Sequence, residues 1–165
     1  RGRVIAAKTE YWRSRRDIAG VQHFCMLTCD RPWEPHSQVS DEWLDVKNLI
    51  MQPLFKKYVK PSFSPVGVFI DKFDRICPSN KEIRIPVVLF NDLEDNWNGD
   101  LILKIKRGGL IVDQKKITNT VVESYQSESY EFTINLPADI GEYEIIAEIN
   151  YNEDIVFSSR LFSIE

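Results

Sequence analysis

Two hydrophobic periods divide the chain. From residue 66 onward apolar and polar residues alternate with a period of two, the pattern of strands with one face buried. The clearest runs are EIRIPVVLF (82–90), with Ile83, Ile85, Val87 and Leu89 on one side, and LILKIK (101–106), with Leu101, Leu103 and Ile105 inward. YEFTINL (130–136), EYEIIAEINY (142–151) and DIVFSSRLFSI (154–164) continue the series, and VGVFID (66–71) and LIVDQKKI (110–117) add two more. CPSNK, NWNG, the glycines at 108 and 109, PADIG and YNED separate them as turns. Pro86 inside a run marks an edge or a bulge.

Before residue 66 the spacing is helical. Val4, Ile5, Tyr11, Trp12 and Ile18 predict a helix over 4–19, with Gly20 as its stop. VQHFCMLT (21–28) predicts a buried strand, and CDRPWEPHSQVS predicts its exit loop. Ser40 as N-cap, Asp41 and Glu42 in the first turn, and the stripe Trp43, Val46, Ile50, Leu54, Tyr58 predict a second helix that Pro53 kinks or splits. Pro61 and Pro65 then mark a stiff connection.

The expected organisation is a helix, strand and helix over 1–61, then a sandwich over 62–165. About seven short strands in about 100 residues is the count of an immunoglobulin-like sandwich. DIGEYEI (139–145) resembles the tyrosine-corner motif of such domains, with Asp139, Gly141 and Tyr143 at alternate positions as structural residues. Ile145 stands where a disulfide-forming cysteine would follow. The fold class is therefore mainly β: a sandwich preceded by an α/β fragment.

Composition narrows the function. The chain of 165 residues carries 21 Lys and Arg against 25 Asp and Glu, a net charge of -4, which argues against a general nucleic-acid binder. Arg1, Arg3, Lys8, Arg13, Arg15 and Arg16 nevertheless crowd the start, while acids dominate after residue 120. No apolar run reaches the roughly 20 residues of a membrane span, and no signal peptide is visible. A start at Arg1 is expected of a chain processed or cut from a longer one. Cys25 and Cys29 on one strand would stand ~13 Å apart at ~3.3 Å per residue, too far for a disulfide. With Cys77 they read as buried free thiols, and neither His23 nor His36 completes a zinc set.

NDLEDNWNGD (91–100) looks like a calcium loop until it is aligned. With Gly99 at the sixth position the twelfth is Ile105, where a Glu is required. A hairpin turn is the default there, against a site using Asp92, Asp95 and Asp100; neither a metal nor a cofactor is expected.

Residues 1–61, RGRVIAAKTEYWRSRRDIAGVQHFCMLTCDRP and then SDEWLDVKNLIMQPLFKKYVKP, resemble the end of the barrel domain of glycoside hydrolase family two, the β-galactosidase and β-glucuronidase group. Residues 66–165, with PVVLFNDLEDNWNGDLILKI, resemble the sandwich that follows the barrel in bacterial members. The resemblance implies that 4–19 is a late barrel helix and 21–28 the last barrel strand. Arg13, Arg15 and Arg16 would then pair with neighbouring carboxylates rather than with phosphate.

Retaining glycosidases of this kind need two carboxylates about 5 to 5.5 Å apart, and the resemblance places both before Arg1. Glu10 and Asp17 sit on the helix, and Asp30 stands alone after the strand, so no catalytic residue is expected here. The implied function is that of a non-catalytic C-terminal fragment whose parent hydrolyses O-glycosidic bonds; a stand-alone carbohydrate- or protein-binding module is the alternative. His23, Trp33 and Trp97 are the candidate sugar contacts of the parent, each with a core or loop-packing role as its rival. The implied partner is carbohydrate, through the parent, with neither nucleic acid nor membrane. The apolar strand 21–28 is expected to pair with a second copy or lie on the sandwich. Export is implied by the family alone.

Overall fold

The computed structural model describes residues 1–18, 20–22 and 42–165. Helix α1 spans Gly2–Arg13; strands β1 (Trp43–Asp45) and β2 (Ile50–Met51) precede helix α2 (Pro53–Ser62). The strands β3 (Val66–Ile70), β4 (Ile76–Cys77), β5 (Glu82–Asn91), β6 (Trp97–Arg107), β7 (Leu110–Val122), β8 (Ser127–Asn135), β9 (Gly141–Tyr151) and β10 (Asp154–Ile164) follow. They form a five-stranded sheet in the order β4-β10-β9-β6-β7 and a three-stranded sheet in the order β3-β5-β8. The chain is an immunoglobulin-like β-sandwich preceded by helical elements. Its first two sandwich strands lie in different sheets, and β4 runs parallel to β10 where the other ladders are antiparallel.

Alternation builds the core. Ile85, Val87 and Leu89 of β5 face Leu101, Leu103 and Ile105 of β6 and Tyr143, Ile145, Ala147 and Ile149 of β9, all buried in one cluster. β3 departs from the pattern, because all five of its residues are buried. Val66, Val68 and Ile70 point into the core. Gly67 and Phe69 point the other way, and the Phe69 ring meets Tyr11 of α1 edge to face at 5.8 Å. A strand covered on both faces reads as an unbroken apolar run, and the helices supply the second cover.

At the tyrosine corner the Tyr143 hydroxyl donates to the Asp139 carbonyl at 2.8 Å, and Gly141 takes φ +141°, a conformation that side chains rarely allow. Pro86 lies in the central strand of its sheet, not on an edge strand or at a bulge. It is tolerated because its carbonyl faces the spot just past the end of β3, where it accepts from the Asp71 N–H. Its missing donor therefore falls where that ladder stops.

The second predicted helix needs correcting over its first half. Residues 43–51 form a small antiparallel ladder, turned by Asp45, whose carboxylate accepts from the Asn48 backbone at 3.0 Å and side chain at 2.7 Å. Pro53 opens α2 instead of kinking it, since proline lacks the N–H that a helix interior needs and the first turn does not use. Gln52 caps that turn, its side chain accepting from Phe55 N–H at 2.6 Å. Ile50 and Leu54 are consequently exposed while Tyr58 is buried. The boundary expected at 61 and 62 falls in the last turn of α2. The predicted strand 21–28 lies, from His23 on, outside the described residues, as do Ser40 and Asp41.

Candidate functional site

α1 ends at Arg13, short of residue 19, with the Ser14 hydroxyl donating to the Tyr11 carbonyl at 2.8 Å. The face it buries is small and polar: Ala6, Thr9 and Glu10. Of the predicted stripe, Val4 and Trp12 are about half exposed, at 58% and 49%. Glu10 is the reason. Its carboxylate accepts from the Ser158 hydroxyl at 2.6 Å and from Arg160 at 3.1 Å, both on β10. Ser158 in turn accepts from the Ile70 N–H of β3 at 3.2 Å. One buried hydroxyl thus links α1 to both sheets. Arg160 also lies over the rings of Phe69 and Phe73, 5.4 and 5.0 Å from their centroids. Burial pushes the Glu10 carboxyl above its ordinary range, outweighing the Arg160 charge and the hydrogen bonds from Ser158 and Arg160.

A second lock sits just beyond Glu10, where α1 ends. Arg13 and Arg16 each reach Asp92, just past β5, at 2.6 Å, and Arg13 donates to the Ser62 carbonyl at 2.6 Å. Both guanidinium groups lie over Phe90, at 4.8 and 5.8 Å from its centroid. Arg15 lies over the ring of Tyr11. Burial opposes ionisation of Asp92, but the hydrogen bonds and charges of Arg13 and Arg16 together win and hold its carboxyl below the ordinary value of 3.8. A depressed carboxylate contributes stability that is present above the ordinary value and lost as pH falls through the folded one. Urea midpoints of the native chain and Asp92→Asn should therefore differ at pH 5 and converge towards pH 2. The gap should also shrink in salt, since Asp92 is partly exposed.

Beside this junction a cleft of about 660 Å³ opens between α1, the segment joining β3 to β4, and β10. Among the described residues five cations line it, Arg3, Lys8, Lys72, Arg75 and Arg160, against one carboxylate, Glu142. Arg3 pairs with Glu144 at 3.0 Å, Lys72 with Asp74 at 2.6 Å and Arg160 with Glu10. Lys8 and Arg75 have no side-chain hydrogen bond or ion pair among the described residues. Tyr11 and Phe73, the latter 58% exposed, supply aromatic surface.

His23, Trp33, Asp30, Cys25, Cys29 and His36 lie outside the described residues. Trp97 belongs to the core cluster, 8% exposed and folded back over Gly99, so it offers no ring face to a sugar. The rival role, covering the end of the core, is the one it takes. Two of the three carboxylates considered for a metal are engaged by cations: Asp92 by the arginines and Asp100 by Lys116 at 2.6 Å. Among the described residues no group of three or more His, Cys, Asp or Glu is placed to hold a metal. Cys77 is a free, buried thiol, pushed up by burial. No helix of the described residues is long and apolar enough to cross a membrane.

No family model matches the chain, and no curated protein does. Solved structures that it resembles include glycosidases. A β-glucosidase from Listeria innocua aligns with TM-score 0.47 at 6% identity over 62% of this chain, which spans 16% of that enzyme. A β-glucuronidase from glycoside hydrolase family 2 aligns with TM-score 0.44 at 17% identity over 60% of this chain and 11% of its own. The CARDB domain of a Pyrococcus furiosus protein aligns with TM-score 0.45 at 17% identity, over 61% of this chain and 94% of that domain. Likeness of this degree concerns the arrangement of strands and assigns no activity.

Proposed function

We propose that the chain is a non-catalytic C-terminal part of a family two glycoside hydrolase, in which the helical segment fastens the sandwich to the catalytic domain. The observation that carries the reading is the use made of Glu10. Glu10 is 2% exposed and engaged by Ser158 and Arg160, so it holds the sandwich instead of facing substrate. Among the described residues the cleft has one lining carboxylate, Glu142, where a retaining mechanism needs a pair.

A second reading, a self-sufficient carbohydrate-binding module, draws support from the way α1 folds onto β3 and β10 as an arm and leaves an aromatic cleft beside it.

A panel of aryl glycosides incubated with the 165-residue chain should be hydrolysed no faster than in buffer. Antibody raised to the chain should detect, in cells of its source, a protein several times longer. Clear hydrolysis would overturn the non-catalytic reading, and a band of only this length would favour the module.

A further inference from the structure

We propose that the cleft between α1 and β10 binds a saccharide carrying a carboxylate, an acidic sugar unit within a glycan; the saccharide half of this inference rests on the carbohydrate reading above. The charge balance selects the ligand class. Of the five cations in the wall, three are already neutralised by Glu144, Asp74 and Glu10. Among the described residues Lys8 and Arg75 remain, opposed by the one lining carboxylate, Glu142. Two cations and one carboxylate suit a ligand whose negative charges are few and spaced by sugar rings. A polyanion such as nucleic acid would meet Glu142 without enough positive charge to offset it.

The remaining wall suits a sugar ring. Phe73 presents more than half its surface, and Tyr11 lies beside it on α1. An aromatic face packs against the apolar C–H face of a pyranose, while Glu142 can accept hydrogen bonds from hydroxyls. Arg75 offers a planar fork that matches a carboxylate with two parallel hydrogen bonds, and Lys8 adds a point charge across the cleft. The volume of about 660 Å³ falls within the range of small-ligand sites. Preorganisation comes from the junction beneath: Arg160, 9% exposed, is held by Glu10 and stacks under Phe73, so the aromatic platform stands on a fixed base.

The test is a titration of the full chain, followed by backbone amide resonances, with a galacturonic acid trimer, its methyl ester, and a glutamate tripeptide. The acid trimer should shift the amides of Lys8, Phe73 and Arg75, with affinity at least tenfold above both the ester and the peptide. Arg75→Glu, with its unfolding midpoint unchanged, and Phe73→Ala should each weaken it at least tenfold. Lys8→Glu provides the same charge test from the helix side. Equal binding of ester and acid would overturn the role of charge. Equal binding of the peptide would overturn the role of the ring and mark an acidic-peptide site. No shift with any probe would overturn the site while leaving the proposed function, which the length of the source protein tests, untouched.

Discussion

Replacing Glu10 by alanine is expected to cost about 3 to 5 kcal/mol of the stability with which α1 is fixed to the sandwich, the range for breaking one side of a buried ionic contact. The side chain is 2% exposed, and its loss takes an acceptor from the Arg160 guanidinium, whose Nε already has no partner among the described residues, and from the Ser158 hydroxyl. Urea unfolding followed by tryptophan fluorescence should show the loss, and limited proteolysis should show new cuts within α1. Glu10→Gln, which keeps an acceptor and cannot ionise, should cost less. The pH dependence has a definite sign. Burial raises the folded pKa of Glu10, so its contribution is full below the ordinary value of 4.5 and declines as pH rises through the folded one. The gap between the native chain and Glu10→Ala should narrow from pH 4.5 upward. A variant within about 0.5 kcal/mol of the native chain, the usual spread of neutral surface changes, would mean that α1 is held by something else.

Gly67→Ala is expected to cost about 1 to 3 kcal/mol, the usual range for overpacking. A methyl at residue 67 would stand 2.2 Å from the ring of Phe90, which is fully buried and cannot swing into solvent. Phe90 is also the surface on which Arg13 and Arg16 lie on their way to Asp92. Moving the ring therefore loosens the second lock of α1 as well as β3. Calorimetric melting should register the loss. Adding Phe90→Leu to the same chain should restore part of it, a departure from additivity expected of touching residues. A Gly67→Ala chain that melts like the native one would show that the ring has room to shift.

The sandwich was legible because its information is local. A period of two over seven runs specifies strands, their faces and most of the core, and Tyr143 with Asp139 and Gly141 specifies a corner within five residues. The two-residue strand β4 was too short to show a period. The helical stripe at 43–58 was present in the sequence but not used, since Asp45 and Asn48 close a turn first and Pro53 starts a helix more readily than it continues one.

Of the junction, the family resemblance implied only that Arg13 and Arg16 pair with carboxylates; which carboxylate, and the role of Glu10, were not legible. Glu10 meets partners 148 and 150 positions away, and Arg13 meets Asp92 across 79. Asp92 read as a metal candidate because its loop is acidic; only the fold shows two arginines beside it. Trp97 was open to either reading, as an aromatic in a turn carries no mark of which way it faces. For α1, the apolar spacing pointed to the wrong face because the helix docks through a carboxylate. A polar contact of that kind leaves no periodic trace.

The junction at Ser158 also orders events during synthesis. α1 leaves the ribosome before any of the described strands, yet the hydroxyl and guanidinium that receive Glu10 belong to β10, the last of those strands. Until residue 160 has emerged and β10 has paired with β9, the first helix has nothing to receive its carboxylate. α1 is therefore secured only after β10 is in place, and losing β10 by nonsense mutation or proteolysis would release a helix whose contact lies 150 positions earlier.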